Sequence, residues 1–127
     1  MLSETKEAEP TGQGFMLQAD QAVILDVADV LGRVGKVALR SAGGAITFMD
    51  VFNCLATLRH VADSGRYITN ERGNPVFRVT TWNKARLAQF MDLIVQGKVE
   101  GLSPSPRERE SLQILSVTLG KRNEQFH

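Results

Sequence analysis

The sequence predicts one α+β domain, ordered β-α-β-α-β-β and followed by two further helices. Two observations carry that prediction. Glycine, proline and capping residues break the 127-residue chain at short intervals. Between the breaks, apolar residues recur either at every second position, as in strands, or at every third and fourth, as in helices. Hydrophobic residues make up 43% of the chain, enough for a real core without disulfides or metal.

Residues 1–13 read as a flexible acidic tail, because Glu4, Glu7, Glu9, Pro10 and Gly12 offer little to bury. Gly14 to Gln18 suits a short strand around Phe15, Met16 and Leu17. Asp20 is an expected N-cap, its carboxylate placed to accept the free N–H groups of a first helical turn. The helix runs to about Arg33. Gln21, Asp26, Asp29 and Arg33 form its solvated side, and Val23, Ile24, Val27, Val30 and Leu31 its buried one. Gly35 closes it. Lys36 to Ser41 then alternates, with Val37 and Leu39 opposite Ala38 and Arg40, which predicts a second strand.

Gly43-Gly44 turns the chain. Thr47 with Asp50 three residues on forms a capping box for a helix to about Asp63. Phe48, Val51, Phe52, Leu55, Leu58 and Ala62 supply its apolar face, and Gly65 ends it. A hairpin follows. Tyr67 and Ile68 lead into Asn70-Glu71-Arg72-Gly73-Asn74-Pro75, and then Phe77, Val79 and Thr81 alternate with Arg78, Thr80 and Trp82. Asn83 caps a third helix, with Leu87, Met91, Ile94 and Val95 on its apolar side. Ser105, Pro106 and Glu108 give the last helix an N-cap, an N1 proline and a capping-box partner. Leu112, Leu115 and Leu119 line one side of it, and Gly120 stops it. The domain thus spans 14–120, with 14–82 as a core, 83–120 as a helical extension and 121–127 as a tail.

Several function classes drop out. The single cysteine, Cys54, excludes an intrachain disulfide and falls in an apolar helical pattern, as a buried small hydrophobe does. The N-terminus lacks a secretory n-region and h-region, and no apolar run approaches the ~20 residues of a membrane span. A cytoplasmic protein without a membrane partner is expected. His60 and His127 are too few for a metal centre, so neither metal nor cofactor is expected. His60 with Asp63 suits a surface hydrogen bond, and Asp26 with Asp29 a solvated stripe. Gly43-Gly44 lacks the lysine of a Walker loop, and Gly-x-Ser-x-Gly is absent. A non-enzyme is expected.

The net charge of +1 conceals a polarity. Residues 1–32 hold one lysine and six acids, for −5, whereas residues 33–86 hold nine basic residues and three acids, for +6. Arg66, Arg72 and Arg78 flank or tip the hairpin, an arm that can lie along a groove and neutralise phosphates. Lys84 and Arg86 follow it. Tyr67 or Trp82, if exposed, can stack on a base. On a solvated edge the same arginines would only keep the strand from pairing.

The stretch Val37-Ala-Leu-Arg-Ser-Ala-Gly-Gly-Ala-Ile-Thr47, with the apolar helix through Arg59, resembles the central segment of the Alba family. These are small archaeal chromatin and RNA-binding proteins, with relatives among RNase P protein subunits. There the segment is a strand ending in a basic residue, a glycine loop ending Ala-Ile-Ser or Ala-Ile-Thr, and a helix. The resemblance covers residues 15–82. It implies an Alba-like sandwich with two appended C-terminal helices, a homodimer, and nucleic-acid contact at Arg40. The family's further loop arginines are Ala42 and Gly44 here, and its lysine pair before the first helix is Ala19-Asp20.

The expected function is binding of DNA or RNA, mainly through phosphates, at Arg40, Arg66, Arg72, Arg78, Lys84 and Arg86. The alternative is a protein–protein adaptor or assembly subunit using its C-terminal helices. A winged-helix regulator would use the same hairpin as its wing, but Thr47 to Gly65 is too short for two helices plus a turn.

Overall fold

The computed structural model of the chain describes residues 14–65 and 67–120. The expected tails, 1–13 and 121–127, and Arg66 lie outside the described residues. Strand β1 (Phe15–Gln18) buries Leu17 and exposes Met16 and Gln18, the alternation of a strand covered on one face. Helix α1 (Gln21–Leu31) buries Val23, Ile24, Val27, Ala28, Val30 and Leu31. Asp20 is extended at its N-cap but makes no side-chain cap bond. The helix stops at Gly32, short of the expected Arg33. Gly35 is the N-cap of the next helix instead of the stop of this one.

The main departure lies at Lys36–Ser41, which forms a six-residue helix, α2, and not a strand. Six residues fit either period, and burial decides between them. Ala38 and Ala42 are buried, four apart as on one helical face, while Val37 is exposed. The second strand of the Alba-like order is therefore absent. The described chain runs β-α-α-α-β-β-α-α.

Gly43 and Gly44, at φ +70° and +79°, carry the chain out of α2 through the left-handed region, where a Cβ is strained. Helix α3 (Phe48–Ser64) opens on a complete capping box. Thr47 Oγ1 accepts from the Asp50 N–H at 3.1 Å, and the Asp50 carboxylate accepts from the Thr47 N–H at 3.0 Å. Thr47→Ala is expected to lower stability by about 1 kcal/mol. The loss should appear as a lower urea midpoint at unchanged m-value.

Strands β2 (Ile68–Thr69) and β3 (Pro75–Val79) form the hairpin, with Ile68 opposite Val76 and Thr69 opposite Pro75. β1 pairs antiparallel on the other side of β3, Phe15 opposite Val79 and Leu17 opposite Phe77, so the sheet order is β1-β3-β2. Pro75 opens its strand, where a missing N–H is tolerated. Phe77 and Val79 point inward beside Leu17.

Helix α4 (Lys84–Val95) begins at Asn83, whose side chain accepts from the Arg86 N–H at 3.0 Å. Helix α5 (Pro106–Gly120) has the capping box its sequence predicts. Ser105 Oγ accepts from the Glu108 N–H at 3.1 Å, and Glu108 accepts from the Ser105 N–H at 3.0 Å. α5 packs on α4 and on α1, and α1 also packs on α3. Leu87, Phe90, Met91 and Ile94 of α4 and Leu112, Leu115 and Leu119 of α5 join one core with α1, α3 and the sheet. No helix among the described residues is long and apolar enough to cross a membrane.

Candidate nucleic-acid interface

Two helices joined by a glycine-bearing turn, α2 and α3, lead directly into the β2–β3 hairpin. A count of residues from Thr47 to Gly65 misses this pair, because its first member lies upstream, in the segment that alternation assigns to a strand.

The hairpin turn is rigidly built. The Asn70 side chain accepts from the N–H groups of Arg72 and Asn74, each at 2.9 Å. The Asn70 N–H donates to the Asn74 carbonyl, and the Gly73 N–H, at φ +83°, to that of Asn70. This frame presents the exposed Arg72 at the tip. Arg78 lies exposed on the outer face of β3, opposite Met16. Lys84 sits where α4 begins, its Nζ 4.6 Å from the centroid of the Phe15 ring, a cation–π contact. Arg86 Nη1 bonds Asp50 Oδ2 at 3.2 Å, which ties the first turn of α4 to the first turn of α3.

Arg40 stands apart. It lines an open cavity of about 210 Å³ with Val37, Ser41 and Glu100, where Ser41 Oγ accepts from the Glu100 N–H at 3.0 Å. That places it against the α4–α5 connection, on a different element from the hairpin arginines. Arg66 is the expected site residue outside the described residues. Two other cations serve the fold. Arg33 grips Glu108 through two bonds, at 2.9 and 3.3 Å. That grip, with the Ser105 N–H, holds the Glu108 carboxyl below the usual carboxylate range. Arg107 bonds Asp26.

Of the two expected base-stacking residues, Trp82 is not available. Trp82 is only 5% exposed and packs edge-on against Phe15, ring centroids 6.2 Å apart. Its indole N–H is buried without a partner among the described residues. Tyr67 is half-buried. The structure offers a different aromatic pair. Phe48 and Phe52 are 61% and 49% exposed, and their rings lie near-parallel, 25° apart with centroids at 6.0 Å. The apolar spacing predicts both on the buried face of α3. That face is Val51, Cys54, Leu58 and Val61 instead. The spacing of Cys54 and Val61 was the available signal, because it completes a stripe that excludes Phe48 and Phe52.

Asp26 also departs from expectation. It is buried, not solvated, bonded to Arg107 Nη2 at 3.0 Å and to Ser111 Oγ at 2.8 Å. Burial pushes the Cys54 pKa up, so the group stays a thiol and is a poor nucleophile. His60 and Asp63 lie exposed near the end of α3. Among the described residues, no three His, Cys, Asp or Glu side chains converge as a metal site requires.

The chain matches no family model, no curated protein and no solved structure, so its own geometry is the ground for assigning a function.

Proposed function

We propose that the protein binds nucleic acid, mainly through phosphate contacts and with little base selectivity. It does so as a winged helix, in place of the Alba-like arrangement that the sequence resemblance implies. The observation that carries this is the exposed Arg72, held on a hydrogen-bonded hairpin that follows directly on two consecutive helices, α2 and α3. In such an arrangement the hairpin and the elements beside it contact the phosphate backbone. The segment from α2 to the first turn of α4 also lies in the part of the chain that carries +6.

Low base selectivity follows from the side chains of α3. Reading a base edge in a groove requires hydrogen-bond donors or acceptors. The exposed residues of its first turns are Phe48, Met49 and Phe52, which have no donor and only the weak thioether acceptor of Met49 to direct at a base edge. The contacts that remain are those of Arg72, Arg78, Lys84 and Arg86 to phosphates, which position a ligand without reading it. Arg40, beside Glu100, is left out of this surface.

Fluorescence anisotropy with labelled DNA and RNA at low and high salt tests the reading. Contact with about four phosphates gives a log–log salt slope of about −4 on duplex DNA. Charge reversal of Arg72 and Arg78 together should weaken binding to every sequence and flatten that slope by about 2. Absence of binding at low salt, or unchanged affinity after the reversal, overturns it. The assembly reading now rests on Ile114 and Val117, exposed three residues apart on α5, since the other apolar residues of α4 and α5 lie mainly in the core.

A further inference from the structure

We infer that Phe48 and Phe52 form a stacking platform for unpaired bases, so that the ligand is single-stranded nucleic acid. The inference rests on the proposed function and names its substrate class. The two rings are the largest apolar groups left open on α3, and they stand near-parallel. A planar base can join such a pair without any change in the helix. The capping box at Thr47 and Asp50 fixes the helix start, so the platform is organised before a ligand arrives.

The surroundings favour a polyanion over an apolar protein partner. Phe48, Phe52 and Arg59 lie within about 40° of one another around the helix, and Arg59 is about 10 Å along the axis from Phe52. Arg59 thus leaves the helix on the side of the two rings, and its guanidinium reaches across to Gly32 at the end of α1. Arg86 stands at the head of the same helix, neutralising Asp50. Residues 33–86 hold only three acids, Asp50 among them, against nine basic residues. A duplex cannot use the platform, because its base faces are already covered by neighbouring pairs. An unpaired strand can splay its bases onto aromatic side chains.

The test compares a labelled single strand of mixed bases with the duplex formed from it, using the full chain. The single strand should bind at least about tenfold tighter. Phe48→Ala with Phe52→Ala should lower single-strand affinity by roughly tenfold or more and leave duplex affinity in place. Phe48→Trp with Phe52→Trp should retain single-strand binding, while leucine at both positions should not, which separates stacking from apolarity alone. Both side chains are exposed, so the variants should keep their thermal midpoint by circular dichroism.

Equal or tighter duplex binding overturns the inference, as does single-strand affinity that survives the double alanine change. The phosphate-binding reading still stands in either case, if charge reversal at Arg72 and Arg78 weakens binding to both ligands. Loss of self-association in the double alanine variant, with nucleic-acid affinity unchanged, overturns it in favour of a protein interface. A wild-type chain that binds no nucleic acid overturns the proposed function and this inference together.

Discussion

Phe90→Ala should lower the stability of the chain by about 3–5 kcal/mol, the range for emptying a large buried aromatic site, and should do so in one transition. Phe90 sits on α4 among the largest fully buried side chains, in the core that α1, α3, α5 and the sheet also line. Total stability for a domain of this kind is about 5–15 kcal/mol. The truncation therefore removes roughly a third to a half of it at the middle of that range. Urea unfolding followed by far-ultraviolet circular dichroism and by Trp82 emission provides the check. Trp82 lies against Phe15 at the sheet, and dichroism is dominated by the helices. Coincident curves mean that α4 and α5 unfold with the sheet. Helix loss ahead of the Trp82 signal would show the C-terminal pair to be a separable attachment.

The second large effect is expected at Asp26. Its carboxylate is buried, whereas the Arg107 side chain that reaches it is 78% exposed. The two partners are therefore unequal. Asp26→Ala removes two charge-assisted hydrogen bonds and strands the buried Ser111 hydroxyl, for a loss of about 2–3 kcal/mol. Arg107→Ala removes a solvated cation and opens the carboxylate to water, for a loss of about 1 kcal/mol or less. Chemical denaturation of the two single variants and the double variant gives the coupling directly. Equal losses at Asp26 and Arg107 would contradict the asymmetry. Asp26→Ala at no cost would show that burying the carboxylate offsets its bonds.

The features legible in the sequence are those decided within one turn of chain. Thr47 with Asp50, Ser105 with Glu108, and Gly65 after α3 announce helix ends by local hydrogen bonding, and the structure keeps each of them. What the sequence hides is decided at a distance. Lys36–Ser41 fits both periods, and only its packing selects the helix. The first turns of α3 offer two apolar stripes, and the core takes the one through Cys54, leaving Phe48 and Phe52 outside. Asp26 looks like surface until α5 brings Arg107 and Ser111 to it. The basic residues were legible as charge. That Arg86 would meet Asp50, and Lys84 the Phe15 ring, was not, because both partners are remote in sequence.

The clasp between α1 and α5 also bears on how the chain is made. Asp26 meets its partners 81 and 85 residues further on, and β1 cannot pair until β3 exists. During synthesis α3 follows α1 closely and can cover part of its apolar side, but the part that packs on α5 emerges long before its partner. Closure of such distant contacts must overcome the entropy of the intervening loops before any packing is gained, which slows folding and prolongs exposure of unfinished surface. The native state forms only after the last helix has left the ribosome, and a chain released before residue 112 would lack Leu112, Leu115 and Leu119 of the core. Quality control by chaperones and proteases would act on that interval between the first helix and the last.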